Sequence, residues 1–284
     1  MIQDFRRLKE RIKSIENTRK ITCAMEMVSA AKLNRVKGAF LASKPYFSNM
    51  QRVLFSFLSD IEPVSHPLLE ERKERKTAAV MVITSDTGLC STYNNNVIKA
   101  AKEFADRSGR EKIGIIAVGK EAFVYFKREG YFVANSYLGI HGKFSEEIAA
   151  DITKTLTNMF LTKTVDEIYI AYTHFSPNLR HKPAIEKFLA IEYEKKERQY
   201  YILEPGKDII LNGLISKYLL AKMRLVLLDS LTAEHSARML AMKLATDNAK
   251  DLIDTLTLLK NKARQAAITK EVLEIAMSAE ALRG

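Results

Sequence analysis

Glycine and proline are spread so unevenly along this chain that they fix its outline. Between Leu214 and Arg283 there are 70 residues with neither. From Met1 to Asp60 there is one of each, Gly38 and Pro45. Apart from the terminal Gly284, the others lie between Pro63 and Gly213. Both residues punctuate helices and turns. The pattern therefore predicts a long helix, a mixed middle and a second long helix, with segments 1–60, 61–210 and 211–284.

The first helix carries Ile2, Phe5, Leu8, Ile12 and Ile15, then Met25 and Val28, at steps of three or four that suit a coiled-coil seam. Pro45 is expected to kink or interrupt it, and Met50, Val53, Leu54, Phe57 and Leu58 resume the pattern. The last helix has a ladder of small residues four apart, Ala233, Ala237, Ala241, Ala245 and Ala249. Residues at that spacing share a face. Leu240, Leu244, Leu252 and Leu259 flank the ladder, and Ser29-Ala30-Ala31 offers a matching small patch on the first helix. Both helices join the middle at one place, so they are expected to pair antiparallel.

Helices of about 58 and about 74 residues span roughly 87 Å and 111 Å. The difference leaves about 16 residues, some 24 Å, without a partner. That overhang is TKEVLEIAMSAEALRG, from about Thr269 to Gly284. Val272, Leu273, Ile275, Met277 and Leu282, with the alanines between them, leave no broad polar face. A helix apolar nearly all round needs something around it. The cover is either a sleeve made by another protein or the middle domain of this chain.

In the middle, TAAVMVITS, KIGIIAVG and VDEIYIAYTHF read as short strands. Helical segments at 95–106, 120–128 and 144–161 alternate with them. That order implies a mostly parallel, doubly wound sheet, to which KPAIEKFLAIEY adds an edge strand. The fold class is thus α/β: a long antiparallel coiled coil of the terminal helices plus a central doubly wound, Rossmann-like domain.

The stretch ITSDTGLCSTYNNN follows a strand and opens a helix, where open α/β sheets place ligands. Cys90 there offers a thiolate lowered by a helix N-terminus, which would make the chain a stand-alone α/β enzyme. Against that, the loop has one glycine and no phosphate-binding fingerprint. Ser85 and Asp86 read more simply as cap or turn formers. His174 and His181 are spaced poorly for a metal, and with His141 and His235 they read as surface or capping residues. No metal or cofactor is expected. Two cysteines, Cys23 and Cys90, build no disulfide framework.

The net charge of +11 calls for an acidic partner. Lys32, Arg35 and Lys37 on the first helix, with Lys243, Lys250, Lys260, Lys262 and Arg264 on the last, form a loose basic girdle. Nucleic acid fits poorly, because no recognition motif or stacking platform accompanies the charge. Acidic protein loops fit better. No apolar run of about 18 residues is present to span a membrane.

Three long motifs resemble one family. RIKSIENTRKITCAMEMVSAAKLNRVK, SDTGLC and AEHSARMLAMKLATDNAKDLIDTLTLLKNKARQAAITKEVLEI are similar, in that order, to signatures of the gamma subunit of F-type ATP synthase. The resemblance implies a non-catalytic rotor shaft, one copy per complex, whose terminal helices turn inside a ring of alpha and beta subunits. It implies that the α/β domain is a foot standing, with the epsilon subunit, on the c-ring loops. It places Met25 and Glu26 in a segment coupling rotation to catalysis. It places Arg238, Arg264, Gln265, Thr269 and Glu274 at positions that meet the ring or tune coupling, and Tyr201 and Glu204 facing the c-ring loops. The start, without a transit or secretory signal, suits a bacterial subunit peripheral to the inner membrane on its cytoplasmic side. Three departures stand out: Thr87 replaces an arginine, Ser91-Thr92 replaces a glycine-rich run, and Met277-Ser278-Ala279 replaces a Ser-Gly-Ala.

Overall fold

A computed structural model describes residues 2–60, 66–70, 72, 75–109, 112–178, 181–193, 204 and 206–281. The chain divides into two compact units, Met1–Ser29 with Met239–Gly284, and Ala30–Arg238. Two helices run through both: α1, Ile2–Asp60, and α5, Lys207–Ala281, of 59 and 75 residues.

Between them lie β1 (Thr77–Ile83), α2 (Tyr93–Arg107), β2 (Lys112–Val118), α3 (Lys120–Arg128), β3 (Val133–Tyr137), α4 (Glu146–Leu161), β4 (Glu167–His174) and β5 (Lys182–Leu189). The sheet order is β3-β2-β1-β4-β5. The first four strands are parallel, and β5 joins β4 antiparallel at the edge. β1 is apolar along its length because both its faces are covered. Ala79, Met81 and Ile83 pack with Leu54 and Leu58 of α1, Ile152 and Leu156 of α4, and Ile215 and Met223 of α5. Val80 and Val82 pack on the other face with Val97 and Ala101 of α2 and Phe126 of α3. The sheet is therefore doubly wound.

Three differences from the sequence reading have local causes. β3, Val-Ala-Asn-Ser-Tyr, carries two polar residues and pairs only with β2, so no apolar run announces it. α4 starts at Glu146 rather than 144, because the Ser145 hydroxyl caps it by accepting from the Ile148 amide at 3.4 Å. α1 is not interrupted at Pro45. Proline removes one helical bond, but Pro45 lies exposed, so the carbonyl it frees can be hydrated. Phe40, edge-on to Phe175 at 6.4 Å, and Phe47, stacked on Tyr218 at 5.6 Å, hold the helix on either side of it.

In the unit built from Met1–Ser29 and Met239–Gly284, Thr246 Oγ1 donates to Thr22 Oγ1 at 2.8 Å. Ile12, Thr22, Ser29, Met242, Ala249 and Leu256 are its buried seam positions. Of the alanine ladder here, Ala249 is buried and Ala241 and Ala245 are half-buried. Leu244, Leu252 and Leu259 are exposed. Residues 271–279 of α5 are all exposed, including Val272, Leu273, Ile275 and Met277. Among the described residues no helix is long and apolar enough to cross a membrane.

Candidate functional site

Open α/β sheets bind ligands beyond the carboxyl ends of their strands, where the chain switches direction. Here that point lies between β1, which leads away to β2, and β4, which is added on its other side. The middle of α5 fills it. Residues 226–236 are buried without a break. A helix enclosed on every side must find partners for each polar side chain it carries, and this stretch carries many.

Its partners come from loops all around the axis. Asp229 accepts the Phe175 amide at Oδ1, 2.8 Å, and has His174 Nδ1 2.6 Å from Oδ2. His181 Nδ1 accepts the Ser176 amide at 3.2 Å, so its ring proton sits on Nε2, 3.1 Å from Ser236 Oγ. The Tyr93 hydroxyl lies 2.8 Å from Ser230 Oγ. Arg238 donates to the Thr87 carbonyl at 2.8 Å and to the Gly88 carbonyl at 3.4 Å, and pairs with Glu234 at 2.7 Å. His235 Nε2–H donates to the Gly142 carbonyl at 2.8 Å. With about 100° per residue, Ser236 lies roughly 20° from Asp229, Ser230 about 100°, Arg238 about 180° and His235 about 240° around the axis. The polar contacts form a collar.

The collar is closed on itself. Asp86, after β1, accepts the amides of Lys120 and Gly139 at 3.1 Å and of His141 at 2.7 Å. It thereby ties the β1 loop to the segments following β2 and β3. Lys32 of α1 donates to the His141 carbonyl at 3.2 Å. Gly142 is needed where it stands: its φ is +67°, and a Cβ there would sit 2.5 Å from His235 Cε1.

Burial governs the electrostatics. It pushes the Tyr93 phenol well up, reinforced by Glu234. It pushes the Asp229 carboxyl up, against the opposing Phe175 amide and His174. It pushes the His235 and His181 imidazoles down. It also pushes the Cys90 thiol up. Cys90 is buried, and desolvation raises its thiol although hydrogen bonds with Ser85 and Asn94 pull the other way, so it is not the lowered thiolate expected of a helix N-terminus. Among the described residues no cluster of ligands could hold a metal.

The residues expected from sequence do not gather in one place. Arg238 is in the collar, where it donates to the chain's own β1 loop. Met25 and Glu26 are half-buried on α1. Arg264, Gln265, Thr269 and Glu274 are exposed on α5, and Glu274 pairs with Lys270 at 3.5 Å. Glu204 is exposed, and Tyr201 lies outside the described residues. His235 is a buried donor and not the surface or capping residue expected. The sequence reading missed Tyr93, Asp229, Ser230, Glu234 and Ser236. The signal was present in DSLTAEHSAR: a polar run inside a helix with no room for a solvated face.

The family whose model is described as ATP synthase matches residues 4–282. An ATP synthase gamma chain from Pelotomaculum thermopropionicum is 40% identical over 283 residues, covering 98% of this chain and 99% of that one. Another, from Chloroherpeton thalassium, is 38% identical and covers 98% of each chain. Among solved structures, a chain of the Euglena gracilis mitochondrial ATP synthase, OSCP/F1/c-ring in rotational state 3, shares the fold. Its TM-score is 0.70 at 19% identity, covering 99% of this chain and 95% of that chain.

Proposed function

The chain belongs to the ATP synthase gamma-chain family, and from that premise we propose that it is the central rotor shaft of an F-type ATP synthase. It couples proton flow through the membrane c ring to ATP synthesis and hydrolysis at the beta subunits, by turning inside the alpha/beta ring. The observation that carries this reading is the collar. Where an α/β enzyme would hold its ligand, this domain holds a helix.

The exposed part of α5 supports the other half of the reading. Ile275 and Met277 are 69% and 71% exposed on a helix whose polar stripe there, Lys270, Glu271, Glu274 and Ser278, covers only about 100° of its circumference. An apolar bearing in the catalytic ring supplies the missing cover. Arg264, Gln265, Thr269 and Glu274 meet the ring beside it, and Met25 and Glu26 lie in the coupling segment. Glu204, with Tyr201, faces the c-ring loops, and the epsilon subunit shares the foot. The chain binds no nucleotide and performs no chemistry. It sits at the cytoplasmic face of a bacterial inner membrane, one copy per complex.

Reconstitution with alpha and beta subunits tests this. The expected product has one copy of this chain per three beta subunits, while the isolated chain gives no heat with ATP by calorimetry. Micromolar ATP binding by the isolated chain, or failure to join the ring, contradicts the reading.

A further inference from the structure

We propose that the collar is a torque key: the hydrogen bonds from the loops after β1, β3 and β4 stop α5 from turning about its own axis within the α/β domain. The inference rests on the shaft reading and adds a role for residues it leaves unassigned, Tyr93, His174, His181, Asp229, Ser230 and Ser236.

The physical reason lies in directionality. Apolar contacts are non-directional and scale with area, so they keep a helix in its groove but oppose a small axial twist weakly. Hydrogen bonds weaken steeply off angle. A bond on one side alone would act as a hinge. Here bonds approach from well-separated directions around one short stretch. Asp229 and Ser236 are held by the turn between β4 and β5, through the Phe175 amide, His174 and His181. Ser230 is held by Tyr93 at the start of α2. Arg238 and His235 are held by backbone carbonyls of Thr87, Gly88 and Gly142.

The supporting loops are themselves fixed. Asp86 binds three backbone amides across two other loops. Phe175 is wedged between Phe40 of α1, 6.4 Å away, and the His181 ring, stacked at 5.5 Å. A twist of α5 must therefore break bonds on several sides together, which is what a shaft under load requires of its mounting.

The test uses the assembled, membrane-bound complex. Tyr93→Phe deletes the hydroxyl that meets Ser230, and Ser236→Ala the one that meets His181, each with little change of shape. Net ATP-driven proton pumping is measured against an increasing opposing gradient, beside ATP hydrolysis. The wild-type complex should pump until the gradient stalls it. In the variants, pumping per ATP is expected to match wild type at low gradient and to be lost at a lower gradient, progressively as substitutions combine. Wild-type behaviour at every gradient overturns the key. So does a proportional loss at all gradients, because that marks general damage. Should the combined variant fail to assemble, Tyr93→Phe alone decides between these outcomes. If instead the wild-type chain fails to pump with its ring, the shaft reading itself has failed.

Discussion

Thr246 and Thr22 join across the α5–α1 seam, hydroxyl to hydroxyl at 2.8 Å. Ten residues further along α5 is Leu256, and ten residues back along α1 is Ile12, both buried. One polar pair thus sets an antiparallel register that brings the apolar positions opposite each other. A polar pair in such a seam selects register more than it stabilises.

The stability of that unit should therefore reside in its buried apolar positions. Leu256→Ala is expected to cost about 2–3 kcal/mol, at the low end for a leucine truncation because Leu256 lies at the rim of a narrow seam. Leu258→Ala, at a side chain 64% exposed, should change stability by less than about 0.5 kcal/mol. Urea unfolding of the isolated chain, followed by helical circular dichroism, distinguishes the two.

The loop after β1 stores strain that a glycine would release. Ser91 has a φ of +55°, the left-handed region that favours glycine. Thr92 has an ordinary φ of −86°. Ser91→Gly is expected to stabilise the Ala30–Arg238 unit by about 0.5–1 kcal/mol. Thr92→Gly should destabilise it slightly, because it adds freedom to the unfolded chain without relieving strain. Thermal melting of both variants checks the opposite signs.

Acid should weaken the collar. Burial holds the His181 and His235 imidazoles below their ordinary range. Above about pH 6.5 neither the folded nor the unfolded chain protonates them. Below it the unfolded chain takes up protons that the folded one refuses, so stability falls until the depressed folded values are passed. Asp229, whose carboxyl is pushed up, acts in the opposite sense and only at the acid end. Urea midpoints from pH 8 to pH 5 should decline, and His181→Gln should flatten part of the decline.

The α5 tip should matter only in the complex. Truncation after Lys270 removes residues whose side chains, from 271 to 279, are exposed. The isolated chain should then lose less than about 0.5 kcal/mol. The complex with alpha and beta subunits should dissociate faster, read by native mass spectrometry over time. Equal dissociation would mean that the bearing contributes little grip.

The architecture was legible where patterns are long. The scarcity of Gly and Pro marked both terminal helices, and apolar runs bounded by turn residues marked β1, β2 and β4. β3 was not legible, because an edge strand with Asn135 and Ser136 presents no apolar face to read. Of the collar, only the polar run DSLTAEHSAR was visible in the sequence, and its partners were not. Its contacts join Thr87 to Arg238 and His174 to Asp229, residues far apart in the chain that only the folded sheet brings together. Arg238 was singled out by its motif, but its bonds to Thr87 and Gly88 depend on where the β1 loop lies.

The central claim is most directly tested by watching the chain turn. An alpha/beta complex containing it is fixed to a surface by the ring, with a bead on the α/β domain. With ATP, the bead is expected to rotate in one direction, in step with hydrolysis. Steady hydrolysis under a motionless or randomly fluctuating bead would contradict the account.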